Sequence, residues 1–152
     1  MIQTCPISAK RVDSNMVRVI AAQVALMTAL FLLAAEPFFV AIIVYDYSVR
    51  ALGKISLSPF YFIGNCFLKT FDIEPKLTDE SPKRFALFLG LTSSSFLLLA
   101  SLLNLSVLGS VIAVILIICA LLESLFDYCI GCKLYYAIQI VKGFFNHARN
   151  IK

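Results

Sequence analysis

The chain alternates long apolar stretches with short polar breaks, and that pattern predicts membrane-crossing helices. A transmembrane helix needs about 20 mostly apolar residues, roughly 17 at the short end. Val17 to Ala35 meets this, entered through Asp13, Ser14 and Asn15, any of which can cap a helix. Glu36-Pro37 breaks the run, and proline is tolerated at a helix's first position. Phe38 to about Leu52 follows at once, which predicts an antiparallel hairpin. Phe85 to Leu103, opened by Ser81-Pro82-Lys83-Arg84, gives a third span, and Asn104-Leu105-Ser106 turns into a fourth, Val107 to Phe126. A two-helix reading would leave the apolar residues after Pro37 unexplained. Two further segments are apolar but too short or too mixed to cross. Pro59 to Phe71 is aromatic-rich and reads as interfacial or re-entrant, and Leu134 to Phe145 reads as an amphipathic surface helix. The expected fold is all-α: one domain, residues 1–152, a four-helix transmembrane bundle with short interfacial helices. Asp72 to Pro82 reads as a soluble loop.

Composition agrees with the pattern. Of 152 residues, 61% are hydrophobic and 14% charged, with a mean hydropathy of +0.91. Soluble domains are nearer half apolar and a quarter charged, so a soluble enzyme or nucleic-acid binder is a poor reading. The net charge of +4 reports topology instead. All 13 Lys and Arg lie before or at the start of the first span, at the end of the second (Arg50) or between the second and third, or after the fourth. By the positive-inside rule both termini and the central loop are expected in the cytoplasm. The first apolar stretch is long for a cleaved signal peptide, which favours a retained span.

That topology gathers cysteines on one side. Cys5, Cys66, Cys129 and Cys132 all fall at or near the cytoplasmic face, where a static disulfide is not expected. Cys119, inside the fourth span, reads as a small packed hydrophobe. Cys129-Ile130-Gly131-Cys132 is a C-x-x-C pair whose i, i+3 spacing brings two sulfurs to one helix face. Lys133 next door would favour a thiolate, while Asp127 and the negative end of the fourth helix would oppose it. Two incidental cysteines are the alternative. Cys5, ahead of a helix start and near Lys10 and Arg11, is the expected third member of a thiol exchange site.

Charges inside spans are costly and mark function or bundle pairing. Asp46 and Arg50 are i, i+4 near the end of the second span, and Glu123 and Asp127 repeat that spacing in the fourth. They are expected to set the field around the thiols or to lock the bundle. His147 is the single histidine, and no phosphate-binding glycine motif occurs.

CPIS at Cys5 to Ser8, D-x-x-x-R at Asp46 to Arg50, PKRFA at Pro82 to Ala86, and ALLESLF followed by CIGC-x-x-Y at Ala120 to Tyr135 occur in a telling order. In them the chain resembles the bacterial multi-pass membrane family catalogued as domain of unknown function 4395. The resemblance implies a four-span bacterial inner-membrane protein, in a family associated with thioredoxin-like and rhodanese-like sulfur proteins. Cys5, Cys129 and Cys132 match the family pattern; Cys66 and Cys119 do not obviously belong to it.

The leading expectation is a membrane thiol protein in which Cys132 faces a soluble partner, Cys129 resolves, and Cys5 takes part. It would exchange electrons or sulfane sulfur, with catalysis itself left open. A quinone could accept electrons, though no residue demands one. The alternatives are zinc held by Cys5, Cys66, Cys129 and Cys132, or a small transporter or accessory subunit for a sulfur species. Partners are the bilayer, a thioredoxin-like or rhodanese-like protein, and further copies of the chain, with no nucleic acid.

Overall fold

The computed structural model describes residues 11–149, and six α-helices account for most of them. Helix α1 (Ser14–Ala34) starts where Asp13 accepts the Asn15 N–H, a side-chain cap. It ends at Ala35 in the left-handed conformation, φ 55°. Glu36 then stands in extended conformation ahead of α2 (Pro37–Ala51), with Pro37 in its first turn. A 3-10 turn (Ile55–Leu57) leads into α3 (Pro59–Thr70), then α4 (Glu80–Leu102), α5 (Ser106–Phe126) and α6 (Ile130–Arg149). Asp72, Asn104 and Asp127 close α3, α4 and α5 with positive φ. Asn and Asp adopt that conformation more readily than other side chains.

The helices sit close to the spans read from sequence, but two features differ. Asp72 to Pro82 is not simply a loop. Its strand β2 (Leu77–Asp79) pairs antiparallel with β1 (Arg11–Asp13), and Ser14 N–H donates to the Lys76 carbonyl at 2.7 Å. Asp13 also accepts the Lys76 N–H at 3.0 Å, so the α1 cap fastens the central connection. The C-terminal helix begins at Ile130, not Leu134, and this changes the electrostatics of the C-x-x-C pair.

Helix α1 packs chiefly on α5, α2 on α4, and α3 returns onto α1. Met16, Ile20, Val24, Ile43, Phe60 and Leu116 form one buried cluster, and Phe31, Val40, Leu97 and Ala113 a second. Gly64 permits the α3–α1 approach: a Cβ there would lie 2.9 Å from Met16 Sδ. Ser94 and Ala100 supply the small buried positions of α4, whereas Ser95 is exposed and donates to its own helix. Outside this core the helices stay apolar, with Leu33 85% and Val107 79% exposed. Continuous apolar surface of this kind needs a non-aqueous neighbour.

Among the described residues three helices, α1, α4 and α5, are long and apolar enough to cross a membrane. Helix α2 has 15 residues, about 22 Å at the helical rise, against a hydrocarbon core of about 30 Å.

Candidate functional site

The C-x-x-C pair occupies the first turn of α6. Cys129 immediately precedes the helix, and its Sγ accepts the Cys132 N–H at 3.2 Å, in the manner of an N-cap. Both sulfurs therefore sit at the positive end of a helix dipole, which favours a thiolate. Sequence position alone sets them against the negative end of the preceding helix. That end is itself occupied: Arg18 Nε donates to the Ser124 carbonyl at 2.9 Å, which offsets its negative potential. Gly131, inside the motif, is set by packing. A Cβ there would stand 2.7 Å from Ala86 Cβ and 2.9 Å from Ala86 Cα, so only glycine lets this turn dock on α4.

The two thiols share their proton unequally. The hydrogen bond from Cys129 lowers Cys132 below the usual thiol range, against burial and the Glu123 and Asp127 carboxylates, with Lys83 assisting. Cys129 is pushed up, first by that same hydrogen bond, then by burial and by Glu123. The assisting cation is Lys83, from α4, and not the adjacent Lys133, whose ammonium lies 5.7 Å from the Tyr128 ring centroid. Removing it has a definite sign. Lys83→Gln is expected to raise the Cys132 pKa, so that the pH profile of maleimide labelling at Cys132 moves to higher pH, whereas Lys133→Gln leaves the profile nearly unchanged.

Lys83 is buried and tied into a relay. Its Nζ donates to Ser14 Oγ at 2.8 Å, Ser14 donates to Asp127 Oδ1 at 2.6 Å, and Lys76 Nζ donates to Asp127 Oδ2 at 2.8 Å. Partial burial raises the Asp127 carboxyl, but these donors and the lysine charges outweigh it and hold the group below its ordinary value. Ser14, Lys76 and Lys83 were not singled out from sequence as site residues. Only their convergence from three segments gives them this role.

Asp46 and Arg50 form a separate centre. Asp46 is fully buried, and its Oδ2 lies 2.8 Å from Arg50 Nε. Its Oδ1 accepts from Ser58 Oγ and from the Phe60 N–H, so a carboxylate on α2 caps the start of α3. The Arg50 guanidinium lies over the Tyr47 ring at 4.9 Å. The ion-pair contact is poorly aligned for hydrogen bonding, and Arg50 Nη2 is buried without a hydrogen-bond partner among the described residues. The four charges expected to act together are thus divided: Asp46 with Arg50, Asp127 with the lysine relay, and Glu123 on the wall between two cavities.

One cavity, of about 410 Å³, is lined by Arg50, Lys83, Arg84, Glu80 and Glu123 together with apolar α1 residues. The other, of about 350 Å³, is largely apolar and carries Glu123, Cys119 and Cys129. Cys66 is exposed on α3. Among the described residues no three or more His, Cys, Asp or Glu side chains are grouped to hold a metal ion, so Cys66, Cys129 and Cys132 do not form such a set. Cys5 lies outside the described residues.

These features define an all-α protein with three membrane-length helices and a C-x-x-C pair at a helix N-terminus. The chain belongs to the family described as Domain of unknown function (DUF4395), whose sequence profile matches residues 12–139. That region contains Asp46, Arg50, Lys83 and both cysteines of the pair, and begins after Cys5. No curated protein and no solved structure matches the chain.

Proposed function

We propose that this chain is a membrane thiol protein whose Cys129–Cys132 pair exchanges electrons or sulfane sulfur with a soluble thioredoxin-like or rhodanese-like partner. The observation that carries the reading is the Cys132 N–H···Cys129 Sγ contact in the first turn of α6. It makes the Cys129 sulfur the cap of α6 and places both half-buried thiols at a helix N-terminus, where a thiolate is favoured. In the redox step the Cys132 thiolate attacks one sulfur of the partner's disulfide and expels the other as thiolate. Cys129 then attacks Cys132, forming the internal disulfide and releasing the reduced partner. In the sulfur step the Cys132 thiolate takes the outer sulfur of a partner persulfide, becomes a persulfide, and releases the partner's thiolate. Cys5 is the proposed third thiol, on its basic flank alone.

We further propose that α2 is a fourth crossing, supported by its tight hairpin with α1 and by the apolar, exposed Phe62, Ile63 and Phe67 that follow. The distribution of lysine and arginine supports cytoplasmic termini, and the family resemblance supports a bacterial inner membrane. With that topology the thiol pair faces the compartment that holds such partners.

Removal of the resolving thiol tests the proposal. Cys129→Ser is expected to accumulate a mixed disulfide between Cys132 and a thioredoxin-like protein, seen as a reductant-sensitive band shift. A variant that never traps thioredoxin, and never carries a persulfide after incubation with a loaded rhodanese, would contradict both forms of exchange.

A further inference from the structure

The apolar cavity of about 350 Å³ is the feature that thiol exchange with a soluble partner leaves unused. It runs along α5 from Ile112 to Glu123, about 16 Å at the helical rise. At one end lie Cys129, Glu123 and Tyr47; toward the other, Phe96 and Ile115 line it while remaining 61% and 56% exposed on the apolar surface. Its size falls within the range of small-molecule sites. Among the described residues no lysine or arginine lines it, in contrast to the neighbouring cavity with Arg50, Lys83 and Arg84. An anionic headgroup would therefore find no countercharge. A neutral ring with hydrogen-bond-accepting oxygens and an apolar tail fits both ends.

We infer that this cavity binds a lipid-soluble quinone, its ring beside Cys129 and its tail along α5, and that the Cys129–Cys132 dithiol reduces it. The inference rests on the thiol reading above. The reaction balances within the site. Cys129 thiol, Cys132 thiolate, one further proton and the quinone give the Cys129–Cys132 disulfide and a hydroquinone. The S–S bond forms as the Cys129 S–H bond breaks, two electrons pass to the ring, and the second proton arrives through Glu123. That carboxyl lines both cavities, so it bridges the charged cavity and the apolar one.

The test uses the reduced full-length chain in phosphatidylcholine nanodiscs with a decyl-substituted benzoquinone. Quinone absorbance and mass-spectrometric mapping of disulfides are followed together. One Cys129–Cys132 disulfide is expected per quinone reduced. Ile115→Trp, which fills the lipid-facing end, is expected to slow the quinone reaction at least tenfold and to leave oxidation by glutathione disulfide unchanged. Glu123→Gln is expected to slow the quinone step and flatten its pH profile. A wild-type pair oxidised by glutathione disulfide but not by quinone overturns the quinone site and leaves thiol exchange standing. So does an Ile115→Trp variant that reacts with quinone as fast as wild type. A pair that neither oxidant converts to a disulfide overturns both.

Discussion

Asp46→Ala is expected to lower unfolding stability by about 3–5 kcal/mol, the usual cost of breaking a buried ion pair from one side. The carboxylate is fully buried, and three groups depend on it. Ser58 Oγ and the Phe60 N–H at the start of α3 both donate to Oδ1, and Arg50 Nε sits 2.8 Å from Oδ2. Alanine leaves the α3 N-terminus without its anion and strands a guanidinium already lacking a hydrogen bond at Nη2. Asp46→Asn, which keeps an acceptor oxygen but removes the charge, is expected to lose less. Adding Arg50→Gln to Asp46→Asn is expected to recover part of the loss, because the stranded charge is gone. Denaturation in mixed micelles reads all three, and simple additivity of the two substitutions would contradict a coupled pair.

Cys132→Ser is expected to abolish exchange with the soluble partner, a fall of roughly a hundredfold or more once the nucleophile is gone. Because Cys132 is held below the usual thiol range, wild-type exchange is expected to rise with pH and level off early. Its thiolate is already formed at pH values where an ordinary thiol is still protonated. Cys129→Ser keeps the attacking sulfur and a side-chain donor beside it, but removes the resolving thiol. Its first step is therefore expected to persist with a pH profile close to wild type, ending at the mixed disulfide. Stopped-flow exchange with reduced and oxidised thioredoxin, scanned over pH, distinguishes the two variants. Equal rates and superimposable profiles for Cys132→Ser and Cys129→Ser would remove the assignment of roles.

Much of the architecture was legible because this chain marks its helix ends with unambiguous chemistry. Glu36-Pro37 stops one apolar run and starts the next, and Asn104 turns α4 into α5. The pairing of Asp46 with Arg50 was readable too, since four residues is one helical turn. That Asp46 also caps α3 was not, because it depends on how the turn at Ile55–Leu57 brings Ser58 and Phe60 back to α2. The β1–β2 ladder escaped for a related reason. Three-residue strands carry no alternation, and this one is held by the Asp13 cap and the Ser14–Lys76 contact across more than sixty residues. The start of α6 was missed because its cap is a cysteine, outside the usual Ser, Thr, Asp and Asn set. Lys133 reads as the cation beside the thiols because it adjoins Cys132 in sequence, yet its ammonium lies over the Tyr128 ring. Lys83 takes that part because α4 begins at Glu80, upstream of the apolar run, which turns Lys83 inward.

The central claim is that Cys129 and Cys132 are a chemically active pair, and thiol trapping in freshly broken membranes tests it most directly. Free thiols are blocked with a heavy maleimide, with and without prior reductant, and each cysteine is then mapped by mass spectrometry. The account predicts that part of the Cys129–Cys132 population is recovered as a disulfide or persulfide, and that reduced Cys132 labels faster than reduced Cys129. Two fully reduced thiols that label equally slowly, with no disulfide or persulfide on either, would contradict it.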